Sequence, residues 1–192
     1  MKRGLPFLIA FLILIGFTAY FAVNGNYEFI NYAITNSLFI LLLYWTDKKF
    51  KYYFWAKWGF VLWLLLHVLG GSLSINGVRL YDTILINFIG APLHILRYDQ
   101  VVHAFCYFII TTFAYSIMVS FAGKKTNKIT IAVLALLIGM GVGAMNEISE
   151  FNAVIFSGAA EKVGDYYNNA LDLVFNFLGS LISVLILSFR KK

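Results

Sequence analysis

The sequence predicts an all-α, polytopic integral membrane protein with six transmembrane helices in one bundle and both termini on the cytoplasmic side. Hydrophobic residues make up 61% of the chain and charged residues 12%, and the mean hydropathy is +0.80, which is too apolar for a water-soluble fold of 192 residues. The chain also contains six apolar stretches of membrane-spanning length, and its basic residues fit one orientation.

The six apolar stretches are separated by short polar connections. Crossing about 30 Å of hydrocarbon takes roughly 20 residues of helix. The predicted spans cover residues 5–23, 27–45, 56–73, 99–121, 129–155 and 169–188. They leave no room for a soluble domain, so we predict a single transmembrane domain over residues 1–192.

The basic residues predict the orientation, because Lys and Arg are retained on the cytoplasmic side of short loops. With the N-terminus inside, only Arg79, Arg97 and Lys162 of the fifteen basic residues lie on the outer side. The net charge of +6 then reflects orientation and attraction to anionic headgroups, and no nucleic-acid partner is expected. These features predict a multi-pass protein of the cytoplasmic (inner) membrane.

The first two spans carry few polar residues in their interiors. We therefore predict that residues 1–57 form a scaffold helical hairpin and that residues 58–192 form a four-helix core. Within that core, residues 83–96 are apolar but too short to span, and Gly90 and Pro92 interrupt them. This composition predicts a helix that lies in the membrane interface or re-enters the membrane.

Ionisable and amide side chains concentrate near the predicted outer ends of the last four spans. Such residues are costly inside a membrane, and four helices place them at a similar depth. We therefore predict one polar cavity, open to the outer face. Its predicted lining is His67, Asp99, His103, Glu147, Glu150, Asp172 and Asn176, with Asp165 and Asn168 at its mouth.

The last span carries a polar stripe within its apolar sequence. Asp172, Asn176, Gly179 and Ser183 follow one another at spacings of four, three and four, which places them on one helix face. A lipid-facing carboxylate would cost several kcal/mol. The stripe is therefore predicted to face protein.

Two histidines among several carboxylates form a plausible ligand set for Zn²⁺, Mn²⁺ or Fe. The residues predicted to hold the metal are His67, His103, Glu147, Glu150 and Asp172. Asp99 is predicted to orient His103, and one carboxylate to activate water. The alternative is a structural polar network without chemistry. Arg79 and Arg97 are predicted to bind a phosphate or headgroup at the rim, or else to form loop salt bridges.

Five ordered motifs carry a resemblance to a known family. They are HVLGG at 67–71, GVRLYD at 77–82, RYDQVVH at 97–103, EISEF at 147–151 and GDYYNNALDL at 164–173. In this order they resemble the motifs of the YjdF-like family of small bacterial inner-membrane proteins, which in turn looks similar to the VanZ-like proteins through Asp172, Asn176 and Gly179. The chain departs from the family at Asn168, where a second Asp is common, so the resemblance implies one anionic ligand fewer.

The leading functional hypothesis is a membrane-embedded enzyme that hydrolyses a lipid or lipid-linked substrate with the help of a divalent metal. No serine or cysteine lies in a recognisable nucleophile motif, so a metal-bound water is the simpler nucleophile. Two alternatives remain open. One is a cation or proton transporter, against which the inner halves of the helices offer few polar residues. The other is an accessory protein that binds a lipid or a partner membrane protein.

Overall fold

A computed structural model describes residues 3–25, 27–123, 126–157 and 166–189 of the chain. Most of these residues are helical. Six helices form in the described ranges: α1 (Leu5–Val23), α2 (Tyr27–Phe50), α3 (Phe54–Ser72), α4 (Tyr98–Phe121), α5 (Lys128–Ser157) and α6 (Tyr166–Phe189). Each of the six predicted spans therefore coincides with a helix.

Five of the described helices are long and apolar enough to cross a membrane. They are α1, α3, α4, α6 and the Lys128–Asn152 part of α5. The second helix is 24 residues long, but it does not meet this criterion of length and hydropathy. Its amides and the charged Asp47, Lys48 and Lys49 make it less apolar than the other helices. The structure therefore confirms a mostly helical protein with several apolar helices.

Residues 83–96 do not form the predicted helix, and that prediction is wrong. They form an antiparallel hairpin of β3 (Ile84–Ile89) and β4 (Ile95–Arg97), with Ile84 opposite Arg97 and Ile89 opposite Ile95. Three isoleucines and a phenylalanine within six residues favour a strand over a helix, because β-branched and aromatic side chains fit a pleated surface. Gly90 and Pro92 then provide the turn.

A second hairpin follows α3. Strands β1 (Ser74–Ile75) and β2 (Val78–Arg79) pair antiparallel around Asn76 and Gly77. Both turn residues have positive φ, 52° and 82°, which is the backbone that an Asn-Gly hairpin turn requires. This hairpin was not predicted from the sequence, although an Asn-Gly pair is a known signal for a hairpin turn.

The chain divides into two compact units, residues 1–80 and 81–192. In the first unit α1 contacts both α2 and α3. In the second unit α4, α5 and α6 all contact one another, and β4 contacts α4. The predicted division at residue 57 into a scaffold hairpin and a four-helix core stays a prediction.

Glycines allow close approach of the helices in the second unit. A Cβ on Gly179 of α6 would overlap the Ala104 carbonyl of α4, and one on Gly139 of α5 would overlap Thr111 Oγ1. A Cβ on Gly143 would lie 3.1 Å from Asn176 Nδ2. The Gly139 and Gly143 pair therefore marks close helix packing, as its spacing in a membrane helix predicts. This contact brings the polar faces of the three helices together.

Candidate functional site

The polar side chains of the second unit converge where α4 and α6 begin and where α5 approaches its C-terminal end. Asp172 and Asn176 of α6 are 1% and 0% exposed, and Glu147 of α5 is also buried. Gly179 and Ser183 are buried as well. The prediction that the α6 stripe faces protein is confirmed.

The first turn of α4 holds Asp99 and His103 in one place. A capping box fixes the start of this helix, since the Arg97 backbone N–H donates to Gln100 Oε1 at 3.0 Å. Asp99 then lies in the first helical turn, where the helix dipole favours a negative charge. One turn later His103 places its Nε2 3.5 Å from Asp99 Oδ1.

Asn176 orients the imidazole from the other side. Its Oδ1 lies 3.0 Å from His103 Nδ1, and its Nδ2 donates to Glu147 Oε1 at 3.5 Å. A carbonyl oxygen accepts hydrogen bonds only, so His103 Nδ1 must carry the proton in this contact. The other ring nitrogen, Nε2, then faces Asp99 and can accept a proton or bind a cation.

Asp172 is held by a short chain of polar contacts. Arg97 Nη1 donates to Asn168 Oδ1 at 3.2 Å, and Asn168 Nδ2 donates to Asp172 Oδ2 at 2.7 Å. The second carboxylate oxygen, Asp172 Oδ1, is buried and has no hydrogen-bond partner among the described residues. Buried carboxylate oxygens are normally paired, so this atom is an available ligand.

Asp99, His103 and Asp172 form a candidate metal-binding group. One ligand atom from each lies within 4.8 Å of the other two. The 3.5 Å separation of Asp99 Oδ1 and His103 Nε2 is close to the roughly 3.4 Å edge expected for a tetrahedron with ligands about 2.1 Å from zinc. Among the predicted ligands, His103 and Asp172 belong to this group, and Asp99 joins them as a third.

The two glutamates of α5 differ in their surroundings. Glu147 Oε1 lies 3.9 Å from His103 Nδ1, and Glu147 Oε2 is buried without a partner in the described part of the chain. Glu150 accepts a hydrogen bond from Asn146 Nδ2 at 2.9 Å. Their direct contact with a metal stays a prediction.

Three predicted site residues belong to the first unit or lie outside the described ranges. His67 belongs to the first unit, where its ring stacks on Trp63 and meets Tyr32 edge-on. Arg79 ends β2 in that same unit, and Asp165 lies outside the described residues. The roles predicted for His67, Arg79 and Asp165 stay predictions.

A row of buried hydroxyls continues from the site along α4 and α6, and sequence reasoning largely missed it. Thr111 Oγ1 donates to Ser180 Oγ at 2.9 Å, and the Thr112 and Ser183 hydroxyls lie 2.9 Å apart. Only Ser183 was predicted to face protein. Thr111 and Thr112 follow His103, and Ser180 follows Asn176, at roughly helical spacing. This spacing could have predicted that these hydroxyls lie on the same helix faces as the site.

Comparison with known protein families identifies a match over nearly the whole chain. A family model described as "Predicted membrane protein (DUF2238)" matches residues 5–192. No curated protein and no solved structure matches the chain.

Proposed function

The chain belongs to the DUF2238 family of predicted membrane proteins, and on that premise we propose that it is a metal-dependent hydrolase embedded in the cytoplasmic membrane. Its substrate in this proposal is a lipid or lipid-linked envelope molecule, reached from the extracytoplasmic side. All six helices span the bilayer, α2 included, and both termini are cytoplasmic. The positions of the basic residues support this orientation.

One observation carries the proposal: two acceptor groups face each other across a short gap. With Nδ1–H donated to Asn176, His103 Nε2 presents a lone pair to Asp99 Oδ1 at 3.5 Å. Nothing in this pair donates a hydrogen bond, so a proton or a metal cation must lie between the two acceptors. Asp172 completes a three-ligand set, and its Oδ1 has no hydrogen-bond partner in the described chain.

The charge balance of the site favours a divalent cation over a single proton. The carboxylates of Asp99, Glu147 and Asp172 surround one imidazole, and like charges at close range repel strongly in a low-dielectric site. A divalent cation such as Zn²⁺, Mn²⁺ or Fe²⁺ offsets this repulsion and, when bound, acidifies a water ligand for attack.

Each surrounding residue then has a defined part in the proposal. Asn176 holds the ring of His103, as partners of metal-binding histidines commonly do. Glu147, whose buried Oε2 has no hydrogen-bond partner among the described residues, is the proposed base for a water proton. Arg97, which also contacts Asn168, presents a guanidinium suited to an anionic headgroup.

The YjdF-like resemblance and its more distant VanZ-like relationship belong to the same proposal. The family model covers every motif on which the resemblance rests, and it is consistent with the YjdF-like assignment. The VanZ-like relationship stays a prediction.

The proposal is tested by the metal content of the purified protein. We expect about one divalent metal ion per chain in the wild type and loss of that ion in His103→Ala. His94→Ala removes the histidine of the β3–β4 hairpin and is the matched control, which should keep its metal. Asn176→Ala should weaken metal affinity by about 10–100-fold, since it leaves the ligands in place but frees the ring.

Absence of bound metal in the wild type, together with no binding when Zn²⁺, Mn²⁺ and Fe²⁺ are titrated into the protein, would refute the metal-dependent mechanism. Hydrolysis is then measured on membrane lipid extracts by mass spectrometry, with the metal-loaded wild type beside Asp172→Asn. If the wild type keeps its metal but forms no product, hydrolysis of these lipids is refuted and the metal site is not.

Proton transport is the second candidate, and the row of buried hydroxyls supports it. Thr111, Thr112, Ser180 and Ser183 continue the polar face of the site along α4 and α6, where the sequence analysis expected few polar groups. Proton uptake by vesicles that contain the wild type, but not by vesicles with Asp172→Asn, would favour transport over hydrolysis.

A further inference from the structure

The β3–β4 hairpin exposes an unusual amount of apolar surface. All six residues of β3 are exposed, and five of them are apolar. Ile86 and Phe88 share one face of the ribbon and are 52% and 69% exposed, whereas Leu85 and Ile89 lie on the other face and are 47% and 52% exposed. Residues 84–96 include no Asp, Glu, Lys or Arg. A two-stranded ribbon is at best marginally stable in water, and exposing two apolar faces to water is unfavourable.

The base of the hairpin is fixed at the end of an apolar helix. Strand β4 ends at Arg97 and α4 begins at Tyr98, with no residue between them. The Tyr98 backbone N–H donates to the Thr83 carbonyl at 3.0 Å, which closes the base of the hairpin. The Tyr81 and Tyr98 rings meet edge-on there, at 6.1 Å. Tyrosines of this kind concentrate at the level of the lipid headgroups.

We propose that the β3–β4 hairpin lies in the lipid interface, with its apolar side chains among the headgroups and the upper acyl chains. Its occupant is the phospholipid bilayer itself, because the hairpin is continuous with α4, one of the helices apolar enough to cross a membrane. The inference concerns this surface alone and does not depend on the proposed hydrolysis.

Two opposing effects set the depth of the hairpin. Burial of its isoleucines and Phe88 favours lipid by about 25 cal/mol per Å² of apolar surface. The open edges of a two-stranded ribbon leave backbone N–H and C=O groups unpaired, and such edges are excluded from the hydrocarbon core. The hairpin therefore lies about 5–10 Å below the headgroup surface, the depth reached by interfacial amphipathic elements.

The position of the hairpin also bears on access to the polar site. Arg97 ends β4 and contacts Asn168, which in turn donates to Asp172. A hairpin immersed in the interface therefore places this edge of the site at the level of the lipid headgroups. Molecules that diffuse within the membrane can reach it without passing through bulk water.

The test measures the depth of a spin label at Phe88. The sole cysteine, Cys106, is buried and is replaced by alanine, and Phe88→Cys is then labelled with a nitroxide in phosphatidylcholine–phosphatidylglycerol vesicles. Thr126→Cys, in the exposed polar loop before α5, is the aqueous control. We expect oxygen to reach the label at position 88 while a water-soluble nickel complex is excluded. The control label should show the reverse.

Two results would overturn the inference. Equal access of the nickel complex to positions 88 and 126 would place the hairpin in water. Exclusion of both oxygen and nickel at position 88 would show that another protein surface covers it.

A second measurement avoids the Cys106 substitution. Phe88→Trp in the otherwise native chain should add tryptophan emission that is quenched by lipids brominated near the top of the acyl chain. Its quenching should exceed that of the wild type. Added emission that brominated lipids do not quench would equally overturn the inference.

Discussion

Among the described residues, each compact unit contains a buried charged cluster, and the two clusters are built in opposite ways. In the first unit the carboxylate of Asp47 accepts from Arg3 Nε at 2.8 Å, Lys57 Nζ at 2.9 Å and the Tyr52 backbone N–H at 3.0 Å. Both of its oxygens are paired, and two cations face one anion.

The cluster around His103 in the second unit has the opposite balance. Several carboxylates surround a single imidazole, and one oxygen each of Glu147 and Asp172 is buried without a partner in the described chain. Unpaired buried oxygens cost free energy, whereas a fully paired carboxylate does not carry that cost. The comparison indicates that the Asp47 cluster stabilises the fold, whereas the unpaired oxygens of the His103 cluster lower stability, as is expected if that cluster is a functional site.

Tyr52 lies beside the Asp47 cluster, since its backbone N–H donates to Asp47 Oδ1. Burial raises the pKa of Tyr52, and its hydroxyl lies 2.9 Å from Thr46 Oγ1. The phenol therefore stays neutral through the physiological range, which is consistent with a structural role.

The largest expected effect on stability comes from loss of the Asp47 carboxylate. Asp47→Asn leaves Lys57 buried, at 4% exposure, without its counter-ion. Removal of one partner of a buried ion pair costs about 3–5 kcal/mol. We expect the free energy of unfolding in detergent, measured by denaturant titration, to fall by that amount.

Asp172→Asn is the matched control from the other cluster. The amide keeps an oxygen that can accept from Asn168 and removes a negative charge from an acidic site. In the metal-free protein, where no cation offsets the repulsion, we expect no loss of stability, or a gain of up to about 2 kcal/mol. If Asp172→Asn lowered the free energy of unfolding as much as Asp47→Asn, both clusters would be structural and the proposed difference between them would be wrong.

An intermediate effect is expected at the contact of α4 with α6. The Gly179→Ala substitution places a methyl group against the Ala104 carbonyl, and the backbone cannot yield as a flexible side chain could. Overpacking of this kind costs about 1–3 kcal/mol. Denaturant titration should show this loss, and metal content should fall too, because α6 carries Asp172.

Gly141→Ala provides the control for this substitution, since nothing lies within 4 Å of the added methyl group. It should be neutral or slightly stabilising, because alanine has the higher helix propensity. Equal destabilisation by both substitutions would mean that the loss comes from α-helix effects and not from helix packing.

The smallest expected effect concerns the hydroxyl pairs beyond the site. Thr111→Val removes the hydrogen bond to Ser180, and such bonds between membrane helices contribute about 1 kcal/mol. A double-mutant cycle with Ser180→Ala should isolate this interaction energy. Metal content should stay unchanged; its loss would indicate that the hydroxyl row is part of the site.

The residue pattern was sufficient to predict several structural features of the second unit. The α6 stripe follows from spacing alone, because an Asp within an apolar helix has no stable position against lipid, and its burial is confirmed. The small-residue contact at Gly139 and Gly143 follows from spacing as well. The β3–β4 hairpin was not predicted because a short apolar run fits a strand and a buried helix equally well by periodicity, and the isoleucines and Gly90 were the features that favoured the strand.

The partners within each cluster could not be predicted from the pattern. Arg3 and Asp47 are 44 residues apart, and His103 and Asn176 are 73 residues apart. The charge of Lys57 predicted that it lies on the cytoplasmic side, but not that it is buried against Asp47. A charge pattern can indicate the side of the membrane, but it cannot indicate which opposite charge a lysine will meet.

From the sequence alone one can determine that this is a helical membrane protein and which faces of its helices must avoid lipid. Those conclusions rest on the cost of polar groups in hydrocarbon, which acts on each residue separately. Which polar groups meet, and which oxygens stay unpaired, was decided only by tertiary structure. Hydrogen bonds depend on distances of a few tenths of an ångström between helices, and no local pattern specifies those distances.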